Sequence, residues 1–248
     1  MKKEIIFVMF IVLFFSQSVF ALTGRQLVEK NKKLNSPDTV YHKVKMHIYK
    51  GKKVKIKVKE FELRTKKYDH SETKTLISFS KPSRIKLLTH THKGKDDDQW
   101  IRLSSGRVKR IIFSAKKKSF VNSHFCYGDL SSRKIDDYTY NLLGSETVLG
   151  FKCHLVESIK KSDKKIYDRM ILYIRNCDYF IVKIDFYINS KLYKTLENHD
   201  IRLIDGIMTP FKIVMSDAKN INRTELEIIT VQYNLHMKKS NFIKEALR

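Results

Sequence analysis

The sequence contains few of the residues that interrupt regular structure, with 8 glycines and 3 prolines among its 248 residues. They are scattered, and no repeat, low-complexity tract or linker divides the chain. Since linkers and long loops are typically rich in these residues, we expect residues 22–248 to form a single domain. That length is sufficient for a large β domain with a substantial core.

The apolar run near the amino terminus is too short to cross a membrane. It extends over residues 5–15, whereas a spanning helix needs about 20 apolar residues. Two lysines precede the run, and modest or small residues ending in Ala21 follow it. This order is typical of a cleavable secretory signal peptide, here residues 1–21. We therefore expect the mature chain to begin near Leu22, outside the cytoplasm.

Acidic residues are scarce relative to basic ones, 26 against 50, for a formal net charge of +24. The predicted signal peptide contains Lys2, Lys3 and Glu4, so its removal takes away one positive charge and leaves +23. Such a charge suggests nucleic acid for a cytosolic protein, but predicted export argues against that partner. Two compatible interpretations stay open. The charge reflects an A+T-rich coding sequence, or it favours peripheral contact with anionic lipid headgroups.

Three cysteines in an exported chain leave one unpaired if the other two form a disulfide. Cys153 and Cys177 lie on consecutive predicted strands joined by a turn at 162–165. A small register shift would bring them to the ~5.5 Å Cα separation that a disulfide prefers, and we predict that pair. The alternative is that all three are small buried apolar residues.

The usual signatures of catalysis and metal binding are absent. His90 and His92 share one strand face, but no third ligand is visible in the sequence. Cys126 lies near His124, yet nothing around them resembles a nucleophile elbow or an oxyanion loop. We therefore expect no metal, no cofactor and no enzymatic activity.

Strand patterns dominate the rest of the chain. Apolar residues alternate with lysines from Val44 onward, and a change of phase at Glu60 suggests a β-bulge. The strongest strand, 179–188, presents Phe180, Val182, Ile184 and Phe186 at alternate positions, and the strand before it presents Met170, Leu172 and Ile174. Short connections favour hairpins, so a one-sided antiparallel sheet is expected.

Helices are predicted only at the two ends of the mature chain, over 23–34 and in a short segment after Ser240. The pattern does not decide whether the sheet forms two packed layers filled by their own side chains, or curls into an incomplete barrel with a cavity.

The segment 96–130 has an unusual number of aromatic residues for a hairpin and loop. It contains Trp100, the only tryptophan, and then Phe120, Phe125 and Tyr127 in the loop that follows the hairpin. A solvated connection does not need this much aromatic surface. We therefore expect an apolar surface beneath the loop.

Short motifs follow one another along the chain in the order Phe79–Pro82, Lys109–Ile111, Ser123–Phe125, Tyr127–Leu130, Gly150–Cys153 and Asp205–Pro210. In this order they resemble those of the outer-membrane lipoprotein-sorting proteins, the LolA-like periplasmic carriers. Each motif is short, and together they extend the match from about Gly24 to the carboxyl terminus.

The resemblance implies a mainly β fold, a curled antiparallel sheet in the form of a half-open barrel. The amino-terminal helix and the loop 120–130 would cover its concave face as a lid, and a short carboxyl-terminal helix would follow. The implied function is that of a periplasmic carrier, which binds acyl chains of lipoproteins or phospholipids in an apolar cavity. Its implied partners are an inner-membrane export transporter and an outer-membrane acceptor.

On this interpretation the cavity walls are Met170, Leu172, Ile174, Phe180, Val182, Ile184 and Phe186, and the rim or lid contains Trp100, Phe120 and Phe125. The alternative for each position is an ordinary core residue, since most inward residues of a β domain only pack. The alternative function is a lipid- or lipoprotein-sensing interaction domain of the same fold that acts on an envelope partner.

Overall fold

The computed structural model describes residues 22–34, 36–51, 54–69, 72–81 and 83–247. The predicted signal peptide, residues 1–21, lies outside them. Neither α-helix in the described part of the chain is long and apolar enough to cross a membrane.

Thirteen β-strands account for most of the described residues. They are β1 Thr39–Lys50, β2 Val54–Asp69, β3 Glu72–Lys81, β4 Lys86–His90, β5 Asp98–Arg102, β6 Val108–Arg110, β7 Tyr138–Val148, β8 Phe151–Lys160, β9 Arg169–Arg175, β10 Ile181–Ile188, β11 Lys191–Ile204, β12 Ile207–Asp217 and β13 Arg223–Tyr233. The two α-helices are α1 Gly24–Lys32 and α2 Phe113–Lys116. Short 3-10 turns cover Tyr127–Leu130, Ile135–Asp137, Lys239–Phe242 and Lys244–Leu247.

All thirteen strands belong to one antiparallel sheet in the order β6-β5-β4-β3-β2-β1-β13-β12-β11-β10-β9-β8-β7. The first and last strands of this order, β6 and β7, do not pair with each other, so the sheet curls without closing. The predicted curled antiparallel fold is confirmed. Since β6 and β7 are consecutive in the chain, the segment 111–137 must run from one edge of the sheet to the other.

We call the face beneath this segment and α1 the inner face. Two buried clusters line it. The amino-side cluster comprises Val44, Met46, Ile48, Phe61, Ile77, Phe79, Leu87, Ile101, Ile111, Phe120 and Ile228. The carboxyl-side cluster comprises Leu27, Val28, Phe125, Val156, Met170, Leu172, Ile174, Ile184, Phe186 and Met215. Two smaller clusters lie on the opposite, outer face.

The helix α1 begins as the sequence predicts. Thr23 and Gln26 form a reciprocal capping box, which satisfies two backbone donors at the helix start. Gly24 lies directly on β7, where an added Cβ would come within 3.0 Å of the backbone of Asn141. Leu27 is fully buried in the carboxyl-side cluster.

Two predicted elements differ in the structure. The carboxyl-terminal helix is replaced by two 3-10 turns, because Phe242 and Leu247 both insert against the outer face. The strand predicted over 107–115 is strand only at β6, and α2 follows it.

The β-bulge predicted at Glu60 is present between Glu60 and Phe61 in the pairing with β3. Contrary to the prediction, the bulge does not keep the apolar side chains of β2 on one face of the sheet. Lys59 pairs with Met46 and is 6% exposed on the inner face, whereas Val58 points outward at 41% exposure.

Candidate functional site

The loop that crosses the inner face, which we call the lid loop, comprises residues 117–131. Its centre is a tight turn in which the backbone N–H of Phe120 donates to the carbonyl oxygen of Phe125 at 2.8 Å. Val121 and Asn122 both have positive φ, 48° and 63°. A β-branched residue in this region is strained, so the surrounding contacts must hold the turn in place.

Aromatic residues attach the lid loop to both halves of the inner face. Phe120 is 1% exposed in the amino-side cluster, with its ring centroid 5.7 Å from that of Phe79. Phe125 is 6% exposed in the carboxyl-side cluster. The predicted apolar surface beneath these residues is therefore present.

A buried polar network joins the lid loop to β11. Lys194 Nζ lies 2.6 Å from Asp129 Oδ2, and their side chains are only 6% and 2% exposed. The other carboxylate oxygen, Asp129 Oδ1, accepts a hydrogen bond from the Tyr167 hydroxyl at 2.7 Å. Asp129 Oδ2 also accepts from the backbone N–H of Cys126 at 2.7 Å. A buried ion pair needs this degree of hydrogen bonding to offset its desolvation.

Burial raises the pKa of the Tyr167 hydroxyl and of the Cys126 thiol, and the negative charge of Asp129 raises both further. Both groups are therefore protonated near neutral pH. Cys126 Sγ lies 3.4 Å from the Tyr167 oxygen. A protonated buried thiol is a poor nucleophile, and the network is better suited to holding the loop than to covalent chemistry.

Further polar contacts hold the lid loop at other points. Lys59 Nζ donates to the carbonyl oxygen of the strained Val121, and burial lowers the pKa of Lys59. Gln99 Nε2 donates to the carbonyl oxygen of Tyr127 at 3.0 Å. The backbone N–H of His124 donates to Thr224 Oγ1 at 3.0 Å. The loop is thus tied to β2, β5, β11 and β13.

An apolar cavity of about 320 Å³ lies between the lid loop and β10 and β11. Its apolar lining comes from Phe125, Cys126, Ile166, Tyr167, Ile188 and Tyr193, and its polar lining from Lys117, Ser119, Ser123, His124, Lys194 and Asp217. Small-molecule sites usually measure 300–1,000 Å³ and are mostly apolar with a few polar groups. The cavity meets this description, and we call it the apolar cavity.

The structure brings together five of the seven residues predicted as cavity walls. Met170, Leu172, Ile174, Ile184 and Phe186 all lie in the carboxyl-side cluster beneath α1 and Phe125. All five side chains are buried, at 5% exposure or less, and none of them lines the apolar cavity itself.

The other two predicted wall residues do not share that face. Val182 is buried in the outer-face cluster, where Phe180 packs against it. A register shift between Ile181 and Lys183 reverses the facing of β10 at this point, because one extra residue moves every later side chain to the opposite side.

Trp100 is not part of the lid. It lies on β5 facing outward, where it packs with Leu88 and the carboxyl-terminal turn residue Phe242. His90 lies beside it, with ring centroids 5.0 Å apart. Phe120 and Phe125 both lie in the lid loop, and their role at the rim or lid of a binding site stays a prediction.

All three cysteines are free in the structure. Cys153 is buried and lies opposite Arg175 in the pairing of β8 with β9, and its burial raises the pKa of its thiol. The predicted Cys153–Cys177 disulfide is thus not formed in the structure.

Within the described residues, no group of three histidine, cysteine or acidic side chains could hold a metal ion. His90 Nε2 lies 2.8 Å from the carbonyl oxygen of Phe242, and His92 Nε2 lies 3.0 Å from Asp98.

Sequence reasoning missed the polar residues that hold the lid loop, namely Lys59, Lys194 and Tyr167. Nothing in the sequence distinguishes Lys59 and Lys194 from the many solvated lysines around them. Asp129 belonged to a recognised motif, Tyr127–Leu130, but no partner for its charge could be named.

Solved structures with the same architecture define the class of this protein. A domain assigned to the outer membrane lipoprotein-sorting proteins, from Vibrio parahaemolyticus, superposes with a TM-score of 0.83 at 24% identity, over 90% of this chain and 97% of that domain. A DUF1329 family protein from Desulfovibrio piger gives 0.85 at 25% identity, over 91% and 98%. A LolA superfamily protein from Nitrosomonas europaea gives 0.68 at 19% identity, over 91% and 100%.

The protein therefore has the LolA-like fold, and the resemblance seen in its sequence is confirmed at the level of the fold. The model of a family described as an uncharacterized protein matches residues 71–248, and the chain belongs to that family. No curated protein sequence matches the chain significantly.

Proposed function

We propose that this protein is a periplasmic carrier that binds acyl chains of lipoproteins or related lipids and moves them toward the outer membrane. The observation on which the proposal rests is the apolar cavity beneath a lid loop that crosses the open side of a curled sheet. The similar Vibrio parahaemolyticus domain, assigned to lipoprotein sorting, supports the same role.

The contacts of the lid loop suit reversible closure. An acyl chain gains ~0.8 kcal/mol for each methylene that leaves water, so cargo is held by apolar area and not by specific bonds. The polar contacts from Lys59, Gln99 and Lys194 fix where the loop rests when closed. Each of these contacts can be exchanged for water if the loop lifts. No covalent bond is made or broken in this role.

The proposal includes the location and the partners. The predicted signal peptide and the similarity to a sorting domain support export of residues 22–248 as one domain. A carrier of this kind receives cargo from a transporter in the inner membrane and delivers it to an acceptor at the outer membrane. The basic surface would help it to approach anionic headgroups during either transfer.

Native mass spectrometry with lipid extraction, on protein purified from its own envelope fraction, tests the proposal. We expect co-purifying acylated protein or phospholipid. The blocking variant is Ile188→Trp, which places a larger ring in the apolar cavity. Its matched control is Tyr187→Trp, the same new residue one position earlier on β10, where the side chain packs on the outer face.

We expect Ile188→Trp to lower uptake of a fluorescent fatty-acid probe at least tenfold and Tyr187→Trp to leave it unchanged. Wild-type protein that is always empty and takes up no probe would refute lipid binding. Transfer of bound lipid between donor and acceptor vesicles then separates a carrier from a sensor, because a carrier moves many lipids per protein molecule and a sensor retains a stoichiometric amount.

A further inference from the structure

A second cavity lies on the other side of Ile166 and Tyr167 from the apolar cavity. It measures about 80 Å³ and is enclosed by the end of the lid loop, the following segment to Tyr138, and the β8–β9 connection. Ile166 and Tyr167 line both cavities. We call this second cavity the basic pocket, after the arginine and lysine side chains that line it.

Basic side chains without acidic partners line the basic pocket. Arg133, Lys160, Lys164 and Lys165 all contribute to it, and no carboxylate of the described residues forms an ion pair with any of them. Elsewhere in the described chain, many arginines and lysines do pair with carboxylates. Six cationic and four acidic side chains line the cavity in all, so its lining has a net positive charge, and an anion among the four cations without ion pairs would reduce their mutual repulsion.

The buried acidic residues of the pocket are already neutralised. Asp97 accepts hydrogen bonds from the backbone N–H and the hydroxyl of Ser132, and lies 3.8 Å from Lys134. Asp129 is paired with Lys194. The two remaining carboxylates that line the pocket, Asp96 and Asp137, are exposed.

The inner wall of the basic pocket is apolar and continuous with the core. Tyr138, Ile166, Tyr167 and Met170 form this wall. Met170 belongs to the carboxyl-side cluster, and the guanidinium of Arg133 lies 5.5 Å from the ring centroid of Phe186 in the same cluster. The pocket thus places positive charge directly beside the apolar interior.

We propose that the basic pocket binds the phosphate oxyanion of an anionic lipid headgroup while an acyl chain of the same lipid occupies the apolar cavity. This inference rests on the proposed function and names its substrate class. A phosphate oxyanion suits the pocket because an arginine donates to it in a two-pronged geometry and lysines add charge around it. An 80 Å³ space can hold such a group but not a chain.

The experiment compares two lipids with identical acyl chains, phosphatidylglycerol and diacylglycerol, by binding to full-length mature protein. The test variant is Arg133→Gln/Lys165→Gln. Its control is Arg107→Gln/Lys109→Gln, which removes the same two kinds of charge from the β5–β6 hairpin, where the structure shows no ion pair for either side chain. Lys164→Gln, at an exposed position, is a further variant that cannot disturb the core.

We expect wild-type protein to bind phosphatidylglycerol at least about tenfold more tightly than diacylglycerol, which is the size of effect of one charge-assisted hydrogen bond. The test variant should lose that preference and retain diacylglycerol affinity. The control should keep the preference, and Lys164→Gln should reduce it about threefold or less.

Equal binding of the two lipids, or equal losses in test and control variants, would overturn the headgroup site and leave the proposed function standing. Binding of neither lipid, together with no uptake of the fatty-acid probe, would refute the proposed function itself. In that case inorganic phosphate, titrated alone, would show whether the pocket is an anion site unrelated to lipid. Phosphate bound without any lipid would also overturn the inference as stated.

Discussion

The two halves of the inner face both hold the lid loop by aromatic and polar contacts, but only one of them adds a buried ion pair. On the amino side, packed rings are the main contact, with Phe61, Phe79 and Phe120 at centroid distances of 5.0 and 5.7 Å. On the carboxyl side, Phe125 is joined by the buried pair of Lys194 and Asp129 at 2.6 Å. Rings fill the space between two surfaces, whereas a long lysine side chain spans space without filling it. Both cavities described above lie on the side of the ion pair.

This comparison suggests a division of roles. The amino-side cluster supplies close-packed apolar area, which is the main source of stability. The carboxyl-side cluster supplies similar area but leaves room beside it for a ligand, and its polar network fixes the position of the lid loop. The first half is a support, and the second half contains the candidate site.

The strongest test of the comparison is Phe120→Ala. We expect the free energy of unfolding to fall by about 3–5 kcal/mol, the usual cost of deleting a fully buried phenylalanine ring, as measured by urea denaturation. Affinity of the folded variant for a fatty-acid probe should not change, because Phe120 does not line the apolar cavity. Phe125→Ala is the counterpart, since Phe125 does line it, and this variant should alter probe affinity. Equal effects of the two on binding would contradict the division of roles.

Lys194→Met addresses the ion pair. Removing one partner leaves Asp129 as a buried charge with fewer contacts, so we expect a loss of about 3 kcal/mol and faster amide hydrogen exchange in residues 117–131. The double variant Lys194→Met/Asp129→Asn should be more stable than the single variant, because no unpaired charge is left behind. If exchange accelerates equally throughout the sheet, the pair supports the whole fold and not the lid loop in particular.

Acid should lower the stability of the folded protein through His42 on β1. Burial lowers the pKa of His42 from 6.5 to about 4, and its Nε2 is buried without a hydrogen-bond partner. Between these two pKa values the unfolded chain binds the proton and the folded protein does not, so stability falls as the pH falls. We expect a loss of about 2 to 3 kcal/mol between pH 6.5 and pH 4 from this residue.

Urea denaturation of the wild-type protein and of His42→Phe across that pH range measures how much His42 contributes to the pH dependence of the free energy of unfolding. The variant should show a flatter dependence on pH, with the difference between the two proteins confined to the window from 6.5 to about 4. Parallel curves would mean that His42 does not carry the effect.

The smallest effect is expected at the boundary between the two cavities. A Cβ added at Gly128 would come within 1.9 Å of Ile166 Cδ1, so Gly128→Ala must displace that side chain. We expect a stability loss of about 1–2 kcal/mol. Ile166→Val in addition removes the Cδ1 atom and should restore most of it. Failure of the second substitution to rescue would indicate that the backbone near Lys116, and not Ile166, limits the space.

Much of the architecture could be predicted from local sequence patterns, above all from the alternation of apolar and polar residues. Thr23 as the helix cap, the antiparallel hairpins and the bulge at Glu60 follow from local patterns. The position of the aromatic loop over an apolar surface could also be predicted from composition, because a loop exposed to water does not need aromatic side chains such as Phe120 and Phe125. Five of the seven predicted wall residues share one face because β9 keeps its alternation and β10 keeps it after Lys183.

The errors have two physical origins. Facing along a strand reverses at each register shift, and such shifts are not visible in a pattern that stays apolar on both faces. Phe180 lies just before β10 and Val182 lies within the register shift, and both pack on the outer face. Trp100 was assigned to the rim because it is near the loop in sequence, but the outer face of β5 is covered by the carboxyl-terminal turns.

The sequence by itself determined the strand content, the antiparallel connections and the presence of a buried aromatic loop, because these depend on neighbours along the chain. Only the tertiary structure decided which lysines are buried and which carboxylate pairs with Lys194. It also decided where the cavities lie. Asp129 and Lys194 are 65 residues apart, and contacts of that kind depend on how the sheet curls. Curvature is the sum of many small twists and shifts, and no local pattern specifies it.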